Sequence, residues 1–255
     1  MEPSFKSTSR FSDRVENYVR YRPTYPGEII GFLGNAIGLT PAHVVADIGS
    51  GTGISTELFL RNGNHVYAVE PNNDMRAKAE DLLHSYPRFV SISGTAEQTT
   101  LKDSSIDVII AGQAFHWFDP VKTKTEFRRI ARAGAWTVLL WNERQVVSDF
   151  EKAYEAFVLR HATDYTSVDH RNITQEALTS FFAPNPFTLK TFPNQQTFDF
   201  AGLKGRLLSS SYIPNEHQPG SQEMIAELHR MFEGFQTYQT VRFDYVTTVY
   251  FGRAK

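Results

Sequence analysis

Between residues 43 and 142, short apolar runs alternate with stretches of helix formers, and no other feature of this chain restricts its fold as strongly. Residues 43–49 read as a buried strand ending in glycine, 53–61 as a helix, and 65–70 as a second strand. Residues 72–85 read as a helix, and 89–93, 106–111 and 135–141 as further strands. Asp119-Pro120 signals a helix start, because Asp caps free amides and the fixed φ of Pro suits the first helical position. That helix is expected to run to about Arg132, with Lys122, Lys124, Arg128 and Arg129 on its solvated face. Buried strands separated by helices need crossover connections, so a parallel sheet with helices on both faces is expected.

The remainder is less regular. Ser148-Asp149-Phe150-Glu151 has the spacing of a capping box and opens a helix with Phe150, Ala153, Tyr154, Phe157 and Val158 on one face. Residues 187–198 and 241–251 read as strands, the second alternating Val241, Phe243 and Tyr245 with Arg242 and Asp244. Met224, Ile225, Leu228, Met231, Phe232 and Phe235 mark an amphipathic helix, preceded by a loop over 209–220.

Composition removes several function classes. Apolar residues make up 41% of the 255, too many for wholesale disorder. The absence of cysteine excludes disulfides, thiolate zinc sites, iron–sulfur clusters and a cysteine nucleophile. Basic and acidic side chains balance, 15 against 15 over residues 1–142 and 11 against 13 over 143–255. Nucleic-acid binders usually carry a basic stripe, so no nucleic-acid partner is expected. Residues 1–10 are polar, unlike a signal peptide, and no apolar run is long enough to span a bilayer. A soluble cytoplasmic protein without a membrane partner is expected. The Asn172-Ile173-Thr174 sequon then reads as a chance match. The eight histidines show no metal-ligand spacing, so no metal site is expected, and His161 and His170 read as surface residues.

The chemistry concentrates in Asp47-Ile48-Gly49-Ser50-Gly51-Thr52-Gly53, where the first strand turns into the first helix. Glycines there let the backbone approach a ligand, and the helix start beyond supplies free amides. Glu70 ends the second strand, where an acid can accept hydrogen bonds from both ribose hydroxyls of a nucleotide. The dinucleotide fingerprint G-x-G-x-x-G is not met, because its third glycine position holds Ile54. There is no P-loop lysine and no G-x-S-x-G elbow either.

Residues 45–53 resemble motif I of the class I S-adenosylmethionine-dependent methyltransferases. Glu70-Pro71-Asn72 with Met75 resembles the segment after that family's second strand, and Gly94-Thr95-Ala96-Glu97 its adenine-contacting loop. Gln113-Ala114-Phe115-His116-Trp117-Phe118 resembles the QAFHWF stretch of the methyltransferase type 11 subgroup. Residues 18–26 are similar to the subgroup's N-terminal YxxYRPxYP cap. Trans-aconitate methyltransferase and related small-molecule enzymes belong to that neighbourhood. The resemblance covers about residues 11–142.

The resemblance implies a Rossmann-like α/β fold, with a mostly parallel seven-stranded sheet, helices on both faces and an antiparallel last strand. It also implies a single methyltransferase domain over residues 1–255. Residues 1–42 would be an N-terminal cap, 43–142 the cofactor-binding core, and 143–255 later helices and strands with a substrate-side insertion near 199–236. S-adenosylmethionine would be the cofactor. Gly49, Gly51 and Gly53 would surround its methionine moiety, and Asp47 would accept from its amino group or orient the loop. Glu70 would hold the ribose. Pro71 and Met75 would pack on one side of the adenine and Ala96 on the other, with Glu97 or the Thr95 hydroxyl at its edge. Many relatives carry Asp where Thr95 stands. Gln113 would sit near the sulfonium, and Tyr18 and Arg22 would close over the cofactor, Arg22 facing its carboxylate.

Methyl transfer from a sulfonium needs alignment more than a base, so a base is optional. His116 is the candidate base, or else an anchor of its loop with Trp117 packed in the core. The N/D-P-P-Y motif of amine methylation is absent, which points to a small-molecule acceptor methylated at a carboxylate or hydroxyl oxygen or at carbon. Two alternatives remain open: a non-catalytic S-adenosylmethionine binder and an NAD-type oxidoreductase. A monomer or homodimer is expected. Eighteen of the 34 aromatic residues lie in 143–255, where core packing explains part of the excess and the cap and this later segment are also expected to wall an apolar substrate pocket.

Overall fold

The computed structural model describes residues 14–163, 174–216 and 218–255. His170, and Asn172 and Ile173 of the sequon, lie outside the described residues. The strands are β1 (Val44–Ile48), β2 (His65–Val69), β3 (Phe89–Ile92), β4 (Ile106–Gly112), β5 (Ala131–Arg144), β6 (Phe187–Phe198) and β7 (Val241–Arg253). They form one sheet in the order β3-β2-β1-β4-β5-β7-β6. The first five run parallel, and β7 lies antiparallel to both β5 and β6. The mostly parallel seven-stranded sheet with its antiparallel last strand is as expected.

The helices are α1 (Val15–Tyr21), α2 (Glu28–Ile37), α3 (Ile54–Arg61), α4 (Asn73–Leu83), α5 (Pro120–Ile130), α6 (Asp149–His161), α7 (Gln175–Phe182), α8 (Phe200–Leu208) and α9 (Ser221–Phe235). They cover both sheet faces because successive strand residues point opposite ways. Ala46, Ile48, Ile109 and Ala111 pack with Phe127 of α5 and Phe181 and Phe182 of α7. Val45, Val108 and Ile110 pack with Ile29 and Leu33 of α2 and Phe59 of α3. Burial on both faces is why these strands read as continuous apolar runs. No helix among the described residues is long and apolar enough to cross a membrane.

Several expectations are corrected. The helix begun by Asp119 stops at Ile130, because the chain enters the sheet at Ala131, opposite Ile106. β5 continues to Arg144 because β7 pairs with it that far. Lys124 and Arg128 are not simply solvated: Lys124 Nζ donates to Ser180 O at 2.6 Å and Arg128 Nη2 to Ala183 O at 2.8 Å, tying α5 to α7. His161 is half-buried, its Nε2 2.8 Å from Glu227 Oε2, so it joins α6 to α9. Within the expected 1–42 cap, α2 is a layer under the sheet, with Ile29 and Leu33 fully buried. The part of the late aromatics expected in a core is there as a second cluster. Phe150, Tyr154, Phe157, Phe198, Phe232 and Phe243 pack together between α6, α8, α9 and β7. The capping box at Ser148 and Glu151 forms as expected.

Candidate functional site

β1 pairs with β2 on one side and β4 on the other, so the chain changes direction across the sheet here. Open α/β sheets bind ligands in the crevice outside such a switch point. The loop after β1 carries Gly49, Gly51 and Gly53 at φ of 69°, 57° and 90°. A Cβ at Gly49 would meet Ala114 Cβ at 2.7 Å, and one at Gly53 would meet Leu83 Cδ1 at 2.5 Å. Those two glycines serve packing. A Cβ at Gly51 would meet nothing within 4 Å, so its left-handed backbone borders open space that a ligand can fill.

Glu70 follows β2 and is buried. Its Oε2 accepts from the Gly51 N–H at 2.9 Å and its Oε1 from the Asn72 N–H at 2.8 Å. Burial raises its pKa, opposed by these amides and by Arg76. The carboxylate therefore steadies the glycine loop, and its remaining lone pairs can still accept from a ligand. Asp47 is fully buried in β1. Its Oδ2 accepts from Ser55 Oγ and Thr56 Oγ1, both at 2.7 Å, while its Oδ1 is buried without a partner. Burial pushes this carboxyl up to about 6 against the hydrogen bonds of Thr56 and Ser55. An orphaned carboxylate oxygen next to an open cradle suits a cationic hydrogen-bond donor such as an ammonium group. The residues fit the methionine and ribose ends of S-adenosylmethionine.

Met75 is buried on α4, its N–H donating to Asn72 Oδ1 at 3.0 Å, and Pro71 is half-buried. Ala96 is buried in the cluster that holds Val69 and Phe115. Thr95 and Glu97 are engaged within the protein. Thr95 Oγ1 accepts from the Gln98 N–H at 3.2 Å, and Glu97 Oε1 from the Asp119 N–H at 2.9 Å. Gln113 leaves β4 at φ 55°, a strained state for a residue with a Cβ, and its Nε2 donates to Asn142 O at 3.0 Å. His116 lies half-buried in a 3₁₀ turn over Phe115–Trp117, its ring 4.9 Å from that of Trp117. Phe115 is the core aromatic of this turn, and Trp117, expected in the core, is half-buried. Tyr18 lies on α1, and its ring centroid is 5.1 Å from Arg22 Cζ. Arg22 Nη2 donates to Ser209 O at 2.9 Å, at the end of α8.

Sequence reading missed a buried hub at Asn142. Its Nδ2 lies 3.3 Å from Pro23 O and Thr24 O, while its Oδ1 accepts from Asn194 and Thr247. Asn142 thus fastens the segment after α1 to β5, β6 and β7. The available signal was an Asn closing the apolar run of β5. Tyr25 was also missed. A Cβ at Gly112 would fall 2.7 Å from Tyr25 Oη and 3.0 Å from Ser55 Oγ, so the glycine admits both beside Asp47.

The family model "Methyltransferase domain" matches residues 46–139. An uncharacterized methyltransferase of Mycobacterium tuberculosis is 38% identical over 134 residues, which is 52% of this chain and 52% of the relative. The chain thus spans about half the length of that relative. An uncharacterized methyltransferase of Geobacillus thermodenitrificans is 29% identical over 196 residues, 74% of this chain and 88% of the relative. A solved structure from Anaeromyxobacter dehalogenans, named as a candidate type II methyltransferase, superposes with a TM-score of 0.70 at 23% identity. That likeness covers 92% of this chain and 98% of the other and bears on the fold. Residues 46–139 therefore match a methyltransferase domain, and they lie inside a sheet of the order 3-2-1-4-5-7-6.

Proposed function

We propose that this protein transfers a methyl group from S-adenosylmethionine to a small molecule, at a carboxylate or hydroxyl oxygen or at carbon. It would work without a nucleic-acid or membrane partner, as a monomer or homodimer. One observation carries the reading: the open backbone at Gly51, held by Glu70, adjoins the unpartnered buried oxygen of Asp47. The donor, when bound, supplies a methyl group on a sulfonium that departs as a neutral thioether.

The residues of the chain would bind, align and exclude water. Asp47 Oδ1 would take the donor's ammonium and Glu70 its ribose hydroxyls. Pro71, Met75 and Ala96 would enclose the adenine, and the Thr95 and Glu97 backbone would line its edge. Gln113, held by Asn142, would border the reacting centre, and Tyr18 and Arg22 would close it from α1. Alignment of this kind can contribute several kcal/mol without a base. The antiparallel β7 between β5 and β6 departs from the dinucleotide-binding order and counts against an NAD enzyme.

Calorimetry should show S-adenosylmethionine binding in the micromolar range and none of NAD. NAD binding with no S-adenosylmethionine binding would overturn the proposal. Labelled methyl should also enter a metabolite extract; donor binding with no transfer would mark a binder instead of an enzyme. His116→Ala should lower the rate by less than about tenfold, as for an anchor beside a half-buried Trp117. A thousandfold loss, with a pH profile set by a group titrating near neutrality, would assign it as the base.

A further inference from the structure

Arg206, on α8, is 7% exposed and has no carboxylate partner among the described residues. Its Nη1 lies 3.2 Å from Ser210 Oγ and its Nε 3.4 Å from Tyr245 Oη. Its Nη2 donates to no described residue. Arg22 stands close enough for the two cations to repel, and burial together with this repulsion lowers its pKa. The Arg22 Nε is buried without a partner. Tyr18, Tyr154, Tyr212 and Tyr245 surround the pair. Nearby Arg144, by contrast, is paired with Glu155.

Burying a cation without a counter-ion is unfavourable, and two adjacent cations are worse. Such a pair is best explained as a site that an anion completes. The pair also connects to the donor site. Tyr25 Oη stands beside Ser55, the donor to Asp47, and is near enough to Tyr18 for the two to interact electrostatically, and Tyr18 lies under Arg22. The charges then set the ligand class. The donor's carboxylate neutralises one guanidinium and leaves one positive charge, which suits a single carboxylate better than a phosphate dianion. A guanidinium with free N–H donors matches carboxylate geometry.

We propose that Arg206 recognises the methyl acceptor, which carries a carboxylate that Arg206 binds while Arg22 takes the carboxylate of the donor. This rests on the methyl-transfer reading. The test uses the full chain, labelled S-adenosylmethionine and a metabolite extract split by anion exchange at neutral pH. Acceptor activity should lie in the retained fraction and survive phosphatase treatment. Arg206→Met should keep donor affinity within threefold of wild type by calorimetry, yet lower the rate with the retained fraction at least tenfold through KM. Arg206→Lys should recover part of that loss, since charge remains while the fork is gone. Activity in the unretained fraction, loss on phosphatase treatment, or an unimpaired Arg206→Met would overturn the assignment and leave methyl transfer standing. If Arg206→Met does not hold the donor, Arg206→Lys decides, with about a fivefold loss expected and an unchanged rate overturning the proposal. Failure of the wild-type chain to bind the donor would overturn the methyl-transfer reading, and this one with it.

Discussion

Glu70→Ala is expected to weaken S-adenosylmethionine binding several hundredfold while leaving the protein folded. The carboxylate supports the Gly51 and Asn72 amides and has capacity left for two ribose hydroxyls. Hydrogen bonds to a charged group contribute about 1.5–3 kcal/mol each, and about 1.4 kcal/mol corresponds to tenfold in affinity. Losing the ribose contacts and the loop support together amounts to about 3.5–4 kcal/mol. Stability should change less, because alanine also removes a buried carboxylate whose burial was unfavourable. Glu70→Gln should fall between, losing about tenfold to a hundredfold, since one amide N–H must then face the side chain's own NH₂. Calorimetry on the three proteins, with thermal unfolding as a control for folding, measures this. Affinity within threefold of wild type in Glu70→Ala would put the ribose elsewhere.

The glycine loop and Glu70 were legible because their determinants are local. A strand, three glycines, a helix and an acid ending the next strand are consecutive in the chain, and each constrains its neighbours. β6 was equally legible, its limits at 187 and 198 as expected. Side chains with distant partners could not be read this way. The family resemblance puts Glu97 at an adenine edge, yet it accepts from the amide of Asp119, 22 residues away. Arg22 reads as a lone cation in a tyrosine-rich segment, and its acceptor is Ser209, 187 residues away. The missed α8 is instructive for a second reason. It contains Gly202 and Gly205, which lower helix propensity, and a Cβ at Gly205 would overlap the Tyr21 ring. The residue that hides the helix from sequence reading is the one that lets α1 lie against it. Short helices of this kind are stabilised by packing more than by their own periodicity.

Asp47 should make donor affinity depend on pH, and Asp47→Asn should remove that dependence. Burial pushes the Asp47 carboxyl up to about 6, from 3.8. The folded protein therefore binds this proton more tightly than the unfolded chain. Its contribution to stability is fully present below about pH 4 and is lost as pH rises through 6. At pH 7 and above, the ionised group disfavours the donor-free fold by about 3 kcal/mol. Asparagine removes that burden, although its NH₂ cannot replace an accepting oxygen. A net gain of about 1–2 kcal/mol, or several degrees in Tm, is expected at pH 8, shrinking towards pH 5. Binding should move the other way. The donor's ammonium would pair with the carboxylate at Oδ1, so wild-type affinity should rise about tenfold from pH 5 to pH 7 as Asp47 ionises. In Asp47→Asn this pH dependence should disappear, and affinity at pH 8 should fall about a hundredfold, the loss of a buried charge-assisted pair worth about 3 kcal/mol. Calorimetry and thermal unfolding across pH 5–8 read both effects. A wild-type affinity that does not change with pH, or one whose change survives in Asp47→Asn, would sink the ammonium assignment. The opposite signs are the informative part. A purely structural Asp47 would lower stability and binding together, whereas a carboxylate kept for its ligand destabilises the donor-free protein and strengthens the complex.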